Sequence, residues 1–197
     1  MELAIATASG ALSVALLDEG TIVAEHHVIV GRGHAESIVG VIAGVTGAHG
    51  RAVTGVIVDV GPGSFTGIRI GLAAAQALGL AWAVPVAGVG SLDLVAAAAF
   101  LIDRTDVVVA VADAGRGRVY WQAFDRAGCT PRDAAASGTA DAVVVPDGAL
   151  VAGTGAALMQ GAGGRLLALY PRAADVRLLP PERRRDAVPC YLAAAVP

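Results

Sequence analysis

Lysine is missing from the sequence, since all fourteen basic residues are arginines. A Walker-type phosphate loop needs a lysine after its last glycine to reach the phosphates of a nucleotide, so this class of nucleotide-binding motif is excluded. Charged residues make up only 16% of the chain, and the formal net charge is −3. Proteins that bind nucleic acid unaided carry a basic surface, so direct binding of nucleic acid by this chain is not expected.

Cysteine and histidine are too sparse to build a metal centre from neighbouring residues. Cys129 and Cys190 lie far apart and have no partners at metal-binding spacing, so we expect two free thiols in a reducing cytosol. His26 and His27 are adjacent on a predicted strand and therefore point to opposite faces, and the other two histidines lie at opposite ends of a predicted helix. No His-x-x-x-His or His-Glu-x-x-His motif occurs, so we predict no metal site and assign no catalytic residue.

Long apolar segments are present, and apolar residues make up 55% of the 197-residue chain, enough for one large domain or two small ones. The most membrane-like window, residues 70–92, carries no charge and could span a bilayer as a single helix. Pro85 breaks this window and Gln76 lies within it, so we predict a buried helix followed by a buried strand. The start Met1-Glu2 lacks the basic segment of a signal peptide, so we expect a cytoplasmic location and no membrane partner.

A sharp turn from a strand into a long helix organises the first half of the sequence. The β-branched run over residues 56–60 predicts a buried parallel strand, which Gly61-Pro62-Gly63 ends. Ser64 can cap the next helix, predicted over residues 65–82. Asp59 would be costly to bury alone, so we expect its carboxylate to accept backbone N–H groups of the turn.

The glycines of this turn have two interpretations. A dinucleotide-binding fingerprint requires Gly-x-Gly-x-x-Gly and an acidic residue about twenty positions later that closes the next strand. The observed spacing is Gly61, Gly63, Gly67, and Asp93 opens a helix instead, so the fingerprint does not fit. A tight connection between strand and helix without any ligand remains open.

The helix after the turn has a row of small residues, Gly67, Gly71, Ala75 and Gly79, at every fourth position. One flank of the helix is therefore nearly bare backbone, against which another element could pack closely. We predict that the flank is an association surface, and packing against the chain's own sheet or helices is the alternative. Arg69 is the only charged residue on this helix and could pair with a carboxylate of the same chain or with a partner protein.

Further elements follow from periodicity and turn residues. In the first half we predict three strands within residues 2–30, a helix over 34–48, a strand over 53–60, a short strand over 85–89 and a helix over 91–101 capped by Ser91. In the second half we predict strands over 107–112 and 119–124, a turn ion pair between Asp113 and Arg116, a loop over 131–142, strands over 143–145 and 149–153, a weak helix over 155–162 and an extended or mobile tail.

The string Gly-Pro-Gly-Ser-Phe-Thr-Gly-Ile-Arg-Ile-Gly, residues 61–71, resembles the signature of the bacterial TsaB family, the dimerisation subunit of the machinery that makes threonylcarbamoyladenosine in tRNA. Other segments are similar to the family in the same order: Leu3-Ala4-Ile5, Ser13-Val14-Ala15-Leu16, His34-Ala35-Glu36, residues 85–92, and Asp113-Ala114 with Arg116 and Val119-Tyr120. The similarity covers roughly the first 125 residues well.

The resemblance implies an α/β fold of the actin-like ATPase (ASKHA, ribonuclease H-like) superfamily, built from two β-β-β-α-β-α halves of which the second is reduced. The strand pattern that restarts after Asp106 agrees with such a repeat. We predict an N-terminal actin-like subdomain over residues 1–102, which carries the signature turn and the interface helix, and a reduced C-terminal subdomain with a tail over residues 103–197.

The function implied by the resemblance is that of a non-catalytic scaffold for threonylcarbamoyl transfer to N6 of adenosine 37 in tRNAs that read codons starting with A. The implied partners are a TsaD-like catalytic homologue and a TsaE-like ATPase, with a homodimer in isolation and tRNA contacted only through the complex. No cofactor is expected on this chain alone, whereas ATP or ADP could bind at the interface of the complex.

Two sets of candidate site residues result. The predicted partner interface comprises Gly67, Gly71, Ala74, Ala75, Leu78 and Gly79. The signature turn comprises Gly61, Pro62, Gly63, Ser64, Phe65, Thr66 and Arg69.

The chain departs from the family where the first strand ends. Most members have Asp-Thr-Ser there, and this chain has Ala6-Thr7-Ala8. In active actin-like ATPases an acidic residue at that position helps to hold the metal of the nucleotide, so nucleotide chemistry is not expected here. Departures at Gly115, Arg118 and Ala193 leave open a diverged relative outside the pathway. The alternatives are a stand-alone actin-like ATPase or small-molecule kinase, and a domain that only self-associates.

Overall fold

Two mixed β-sheets form the framework of the chain in a computed structural model that describes residues 1–161 and 163–192. The first sheet contains β1 (Glu2–Ala6), β2 (Ala11–Asp18), β3 (Thr21–Ile29), β4 (Gly55–Asp59), β5 (Val86–Val89) and β12 (Arg185–Asp186), in the order β12-β5-β4-β1-β2-β3. β4 runs parallel to both β1 and β5, while β2, β3 and β12 pair antiparallel with their neighbours. The three strands predicted within residues 2–30 are confirmed.

Helices α1 (His34–Thr46) and α2 (Phe65–Trp82) cover one face of the first sheet. The predicted span of α2 is confirmed, and the Ser64 hydroxyl caps the helix by accepting a hydrogen bond from the Gly67 N–H. α1 ends before the predicted residue 48, because Gly47 leaves the helix with positive φ and starts a 3-10 turn. Buried side chains of both helices pack with those of β1, β2 and β4 to form the largest apolar cluster.

The second sheet contains β6 (Val107–Gly115), β7 (Arg118–Asp125), β8 (Thr130–Pro131), β9 (Ala136–Thr139), β10 (Leu150–Ala152) and β11 (Arg165–Leu167). Its order is β11-β10-β6-β7-β8, with β9 also paired to β7. The described residues after 102 contain no α-helix and have short 3-10 turns instead, among them Ala140–Ala142, Ala156–Met159 and Ala173–Leu178. The fold class predicted from the sequence, with a reduced second half, is confirmed.

Helix α3 (Ser91–Ile102) lies between the two sheets and is almost entirely buried. Its Leu94 packs with β1 and β4 of the first sheet, whereas Val95 and Phe100 pack with β6 of the second. Because α3 contributes to the core of both halves, the division of the chain after residue 102 stays a prediction. None of the helices within residues 1–161 and 163–192 is both long and apolar enough to cross a membrane.

Several predictions for the second half are wrong in detail. Residues 131–142, predicted as a loop, contain β9, whose Gly138 lies directly beneath the ring of Trp121 on β7. Small residues give no periodic signal, so this strand depends on its pairing with β7 and is invisible to apolar patterning. Val144 is exposed and residues 143–145 form no strand. The predicted helix over 155–162 is a short 3-10 turn, and its last residue lies outside the described part of the chain.

The C-terminal tail, predicted as an extended or mobile surface segment, is anchored to the first sheet as far as residue 192 and includes a 3-10 turn at Pro181–Arg183; its last five residues lie outside the described part of the chain. Arg185 and Asp186 form β12 on the edge of β5, and the Cys190 N–H donates to the Val60 carbonyl oxygen at 2.8 Å. The buried carboxylate of Asp93 accepts hydrogen bonds from the guanidinium groups of Arg183 and Arg185. A buried carboxylate requires charged or hydrogen-bonding partners, and here the two arginines also hold the tail against α3.

The row of small residues on α2 faces inward, which corrects its interpretation as an exposed flank. A β-carbon at Gly67 would overlap the Thr7 carbonyl oxygen, and one at Gly71 would lie 2.5 Å from the Thr7 hydroxyl oxygen. Ala75 is fully buried, and a β-carbon at Gly79 would overlap a methyl group of Val86. The row lets α2 approach its own sheet, because each small residue leaves room for a strand. Ala74 and Leu78, on the helix flank, are half-buried.

Replacing Ala75 by leucine should therefore destabilise the folded chain whatever its oligomeric state. We expect a loss of about 1–3 kcal/mol, because the larger side chain overpacks the contact with the sheet. Ala134→Leu, the same substitution at an exposed loop position away from both helices, is the matched control and should leave stability within about 0.5 kcal/mol. Denaturant unfolding at several protein concentrations measures both. Equal stability of the two variants would contradict the inward packing.

Candidate functional site

The signature turn is built around the end of β1. The Ser64 N–H donates to the Ala8 carbonyl oxygen at 2.6 Å, and the Thr7 hydroxyl donates to the Gly67 carbonyl oxygen at 2.7 Å. Thr7 is fully buried between β1 and α2. These bonds join the start of α2 to the loop after β1, so the turn and the first strand form one unit.

Close backbone contact explains the glycines of the signature. A β-carbon at Gly63 would overlap the Ala8 carbonyl oxygen, much as one at Gly67 would overlap that of Thr7. Gly61 has φ +97°, a conformation that favours glycine, and a β-carbon there would lie 2.6 Å from a methyl carbon of Ile68. The spacing of the three glycines is thus accounted for by packing within the chain, as in a tight connection without a ligand.

Asp59 is fully buried beneath the turn. Its Oδ1 accepts hydrogen bonds from the Gly61 N–H at 2.9 Å and the Ser91 hydroxyl at 2.6 Å, so the expected bond to the turn is confirmed at Gly61. Ser91 was predicted to cap α3. It is instead the first residue of that helix, after Gly90, and its hydroxyl donates a hydrogen bond to Asp59. Oδ2 has no hydrogen-bond partner among the described residues.

Burial raises the pKa of the Asp59 carboxyl to about 6, against the opposing effect of the hydrogen bonds from Ser91 and Gly61. Desolvation penalises the charged form by more than the hydrogen bonds to the carboxylate favour it. The carboxyl therefore loses its proton only near neutral pH. Asp59 therefore holds the turn through a buried carboxyl group whose charge changes around pH 6.

A cleft of about 870 Å³ opens above the signature turn, between the two halves of the chain. The loop after β1, the loop before α1, the starts of α1 and α2, and the β6–β7 hairpin line its walls. Its charged lining residues are Arg32, Glu36 and Asp113, so carboxylates outnumber cations. The N-terminal turns of α1 and α2 offer N–H donors to an anion, but Arg32 is the one arginine among the described lining residues, and phosphate sites combine such donors with positive charge.

The turn ion pair predicted between Asp113 and Arg116 does not form. Asp113 instead accepts a hydrogen bond from the Gly115 N–H at 2.7 Å, which closes the tip of the β6–β7 hairpin. Across the described part of the chain, no three side chains of histidine, cysteine, aspartate or glutamate converge as metal ligands would.

The outward side of α2 carries the exposed members of the predicted sites. Arg69 lies with its guanidinium carbon 3.7 Å from the centre of the Phe65 ring, and its Nε donates to the Tyr191 hydroxyl at 3.0 Å. The rings of Phe65 and Tyr191 are 5.1 Å apart. The contribution of Tyr191 was missed, because nothing local in the sequence brings the tail to the start of α2.

The exposed faces of α1 and α2 together form a surface with very few charges, which we call the α1–α2 surface. Arg69 is the only charged residue of α2 and Glu36 the only one of α1. Leu80 is 86% exposed and Val39 is 72% exposed. The other exposed residues of these helices are mostly small: Ala35, Ser37, Gly40, Ala43, Gly44, Phe65, Thr66, Ala73, Gln76, Ala77 and Ala81.

Comparisons with known proteins agree with this geometry. The chain is 38% identical over 127 residues to "tRNA threonylcarbamoyladenosine biosynthesis protein TsaB" of Escherichia coli (strain K12), a match that covers 63% of this chain and 54% of that protein. The solved structure of YeaZ from Pseudomonas aeruginosa, also a TsaB protein, is 30% identical, covers 97% of this chain and 99% of its own, and superposes with a TM-score of 0.85. The chain belongs to the TsaB family.

Further matches support the TsaB assignment. The protein of the same description from Bacillus subtilis (strain 168) is 32% identical over 121 residues, which is 60% of this chain and 52% of that protein. A family model described as "TsaD: tRNA N6-adenosine threonylcarbamoyltransferase" matches residues 25–146. This TsaB-family chain spans about half the length of the curated relatives that it matches. The resemblance read from the signature is confirmed.

An Asp59→Asn variant should reveal the cost of the buried carboxylate. The folded pKa of about 6 lies above the ordinary value of 3.8, so the unfolded state releases its proton first as pH rises. The charge therefore costs nothing in strong acid, and its cost grows until pH exceeds 6. Asparagine retains the acceptor oxygen without the charge, so its stability relative to the wild type should rise by about 2–3 kcal/mol between pH 4 and pH 8. Denaturant unfolding at both pH values measures this, and a constant difference would contradict it.

Proposed function

We propose that this TsaB-family chain is a non-catalytic scaffold subunit that supports threonylcarbamoyl transfer to N6 of adenosine 37 in tRNAs that read codons starting with A. The curated relatives are described as tRNA threonylcarbamoyladenosine biosynthesis proteins, which supports the pathway. The observation that carries the scaffold role is the α1–α2 surface, which offers an association face but no catalytic group.

Two properties of the α1–α2 surface favour protein association. Fully solvated helix faces normally carry many charges, whereas two exposed helix faces here carry one arginine and one glutamate. The small exposed residues of α1, among them Gly40 and Gly44, would let the backbone of a facing helix come close, since nothing lies within 4 Å of a β-carbon placed at either. A helix pair from a second protein of the same fold would suit such a surface.

The proposed occupant is a TsaD-like catalytic homologue of the same fold. A chain isolated from that partner would cover the surface by forming a homodimer. A TsaE-like ATPase would join the complex, and tRNA would be held by the complex rather than by this chain, whose net charge is −3. We place this assembly in the cytosol, where tRNA modification occurs.

We propose that the chain alone binds no cofactor and that ATP or ADP, if used, binds at the interface of the complex. Two observations support this: Ala6 replaces the acidic residue at the end of β1, and carboxylates outnumber cations among the residues that line the cleft. The size of the cleft favours the alternative, a stand-alone actin-like ATPase or small-molecule kinase. Nucleotide affinity separates the two.

The scaffold proposal predicts that a charge on the α1–α2 surface blocks the partner. Leu80→Glu should weaken binding to the purified catalytic homologue by about 30-fold or more, because the interface would bury an unpaired carboxylate. Leu101→Glu, at an exposed leucine near the end of α3, is the matched control and should bind as the wild type does. Calorimetric titration gives the affinities. A wild type that forms no complex would overturn the proposed function.

For nucleotides, we expect titration of the isolated chain with Mg-ATP to give a dissociation constant no tighter than about 1 mM. The physical reason is the lack of lysine and of an acidic metal ligand at Ala6. A dissociation constant in the micromolar range, or measurable ATP hydrolysis, would favour the kinase or ATPase alternative.

A further inference from the structure

Arg69 is an exposed arginine at the start of α2. No carboxylate within residues 1–161 or 163–192 forms an ion pair with it, whereas several other arginines have such partners. Its recorded hydrogen bond is the one from Nε to the Tyr191 hydroxyl, at 3.0 Å. The guanidinium group therefore keeps N–H donors available on its other nitrogens.

The aromatic neighbours hold this guanidinium in one place. Its carbon lies 3.7 Å from the centre of the Phe65 ring and 5.9 Å from that of Tyr191. Stacking on an aromatic face leaves the edge of the guanidinium open, and the edge is the part that binds a carboxylate with two parallel hydrogen bonds. We call Phe65, Arg69 and Tyr191 the Arg69 cluster.

The tail is anchored in a way that delivers Tyr191 to this position. The Cys190 N–H is bonded to Val60 at the end of β4, and Arg183 and Arg185 are bonded to the buried Asp93. Tyr191 itself is about half exposed, so packing in the core does not explain its location. Its contacts with Phe65 and Arg69 fix one side of the cluster and leave the other side open.

We propose that the Arg69 cluster binds a carboxylate of the TsaD-like catalytic partner at the edge of the α1–α2 surface, with Tyr191 positioning the guanidinium. This inference rests on the proposed function. Arginine and tyrosine beside an apolar face are typical of the residues that dominate interface affinity. A backbone phosphate of tRNA is the competing ligand. It is disfavoured because α1 and α2 carry no second cation, and nucleic-acid sites require several.

The experiment measures the affinity of purified variants for the purified catalytic homologue by calorimetric titration. Arg69→Glu should weaken binding by about 30-fold or more, since two carboxylates would face each other in the interface. Tyr191→Phe keeps the ring and removes only the hydroxyl acceptor, so we expect a loss of about 2- to 10-fold. Arg104→Glu, at another exposed arginine outside the α1–α2 surface, is the charge-matched control and should bind within about twofold of the wild type.

The outcomes separate this inference from the proposed function. A wild type that binds the partner while Arg69→Glu binds equally well would overturn the role of the cluster and leave the scaffold function standing. If that variant binds the partner normally but its complex loses affinity for tRNA, the ligand is a phosphate and the inference is also overturned. A wild type that does not bind the partner would overturn both. Thermal melts show that each variant is folded before titration.

Discussion

The structure depends on the contact between the backbone of β1's end and the start of α2. Thr7 and Ala8 meet Gly63 and Gly67 so closely that a single added methyl group at either glycine would overlap a carbonyl oxygen. The single backbone hydrogen bond from Ser64 to Ala8 would be weak alone, but here steric fit, the buried Thr7 hydroxyl and the Ser64 cap act on the same few atoms. The position of α2, and with it the whole α1–α2 surface, follows from this contact.

Two buried carboxylates secure the same region by opposite means. The carboxylate of Asp93 accepts hydrogen bonds from two arginines of the tail, so its charge holds the tail against α3. Asp59 has only neutral donors and one oxygen without a partner, so its charge is tolerated at a cost. Packing thus stabilises the signature turn, whereas the buried charge of Asp59 destabilises it.

The features that could be predicted from the sequence are those determined by neighbouring residues. The bounds of α2 follow from Ser64 and an uninterrupted helical run, and the turn follows from its glycines. The direction of the small-residue row could not be predicted, because close packing outward and inward require the same spacing. The tail's anchorage and Tyr191's place in the candidate site depend on partners ninety or more residues away, and such pairings leave no periodic trace.

The strand β12, at the edge of the first sheet, is synthesised long after the strand β5 with which it pairs. The first sheet is built almost entirely from the first ninety residues, yet its β5 edge remains open until a ribosome has passed residue 186. Phe65 and Arg69 are synthesised early, whereas Tyr191, which accepts the hydrogen bond from Arg69, lies 122 residues later in the chain. A nascent or truncated chain would therefore display α2 without the finished cluster beside it. The Arg69 cluster therefore forms only after the segment that contains β12 and Tyr191 has been synthesised and has paired with the first sheet.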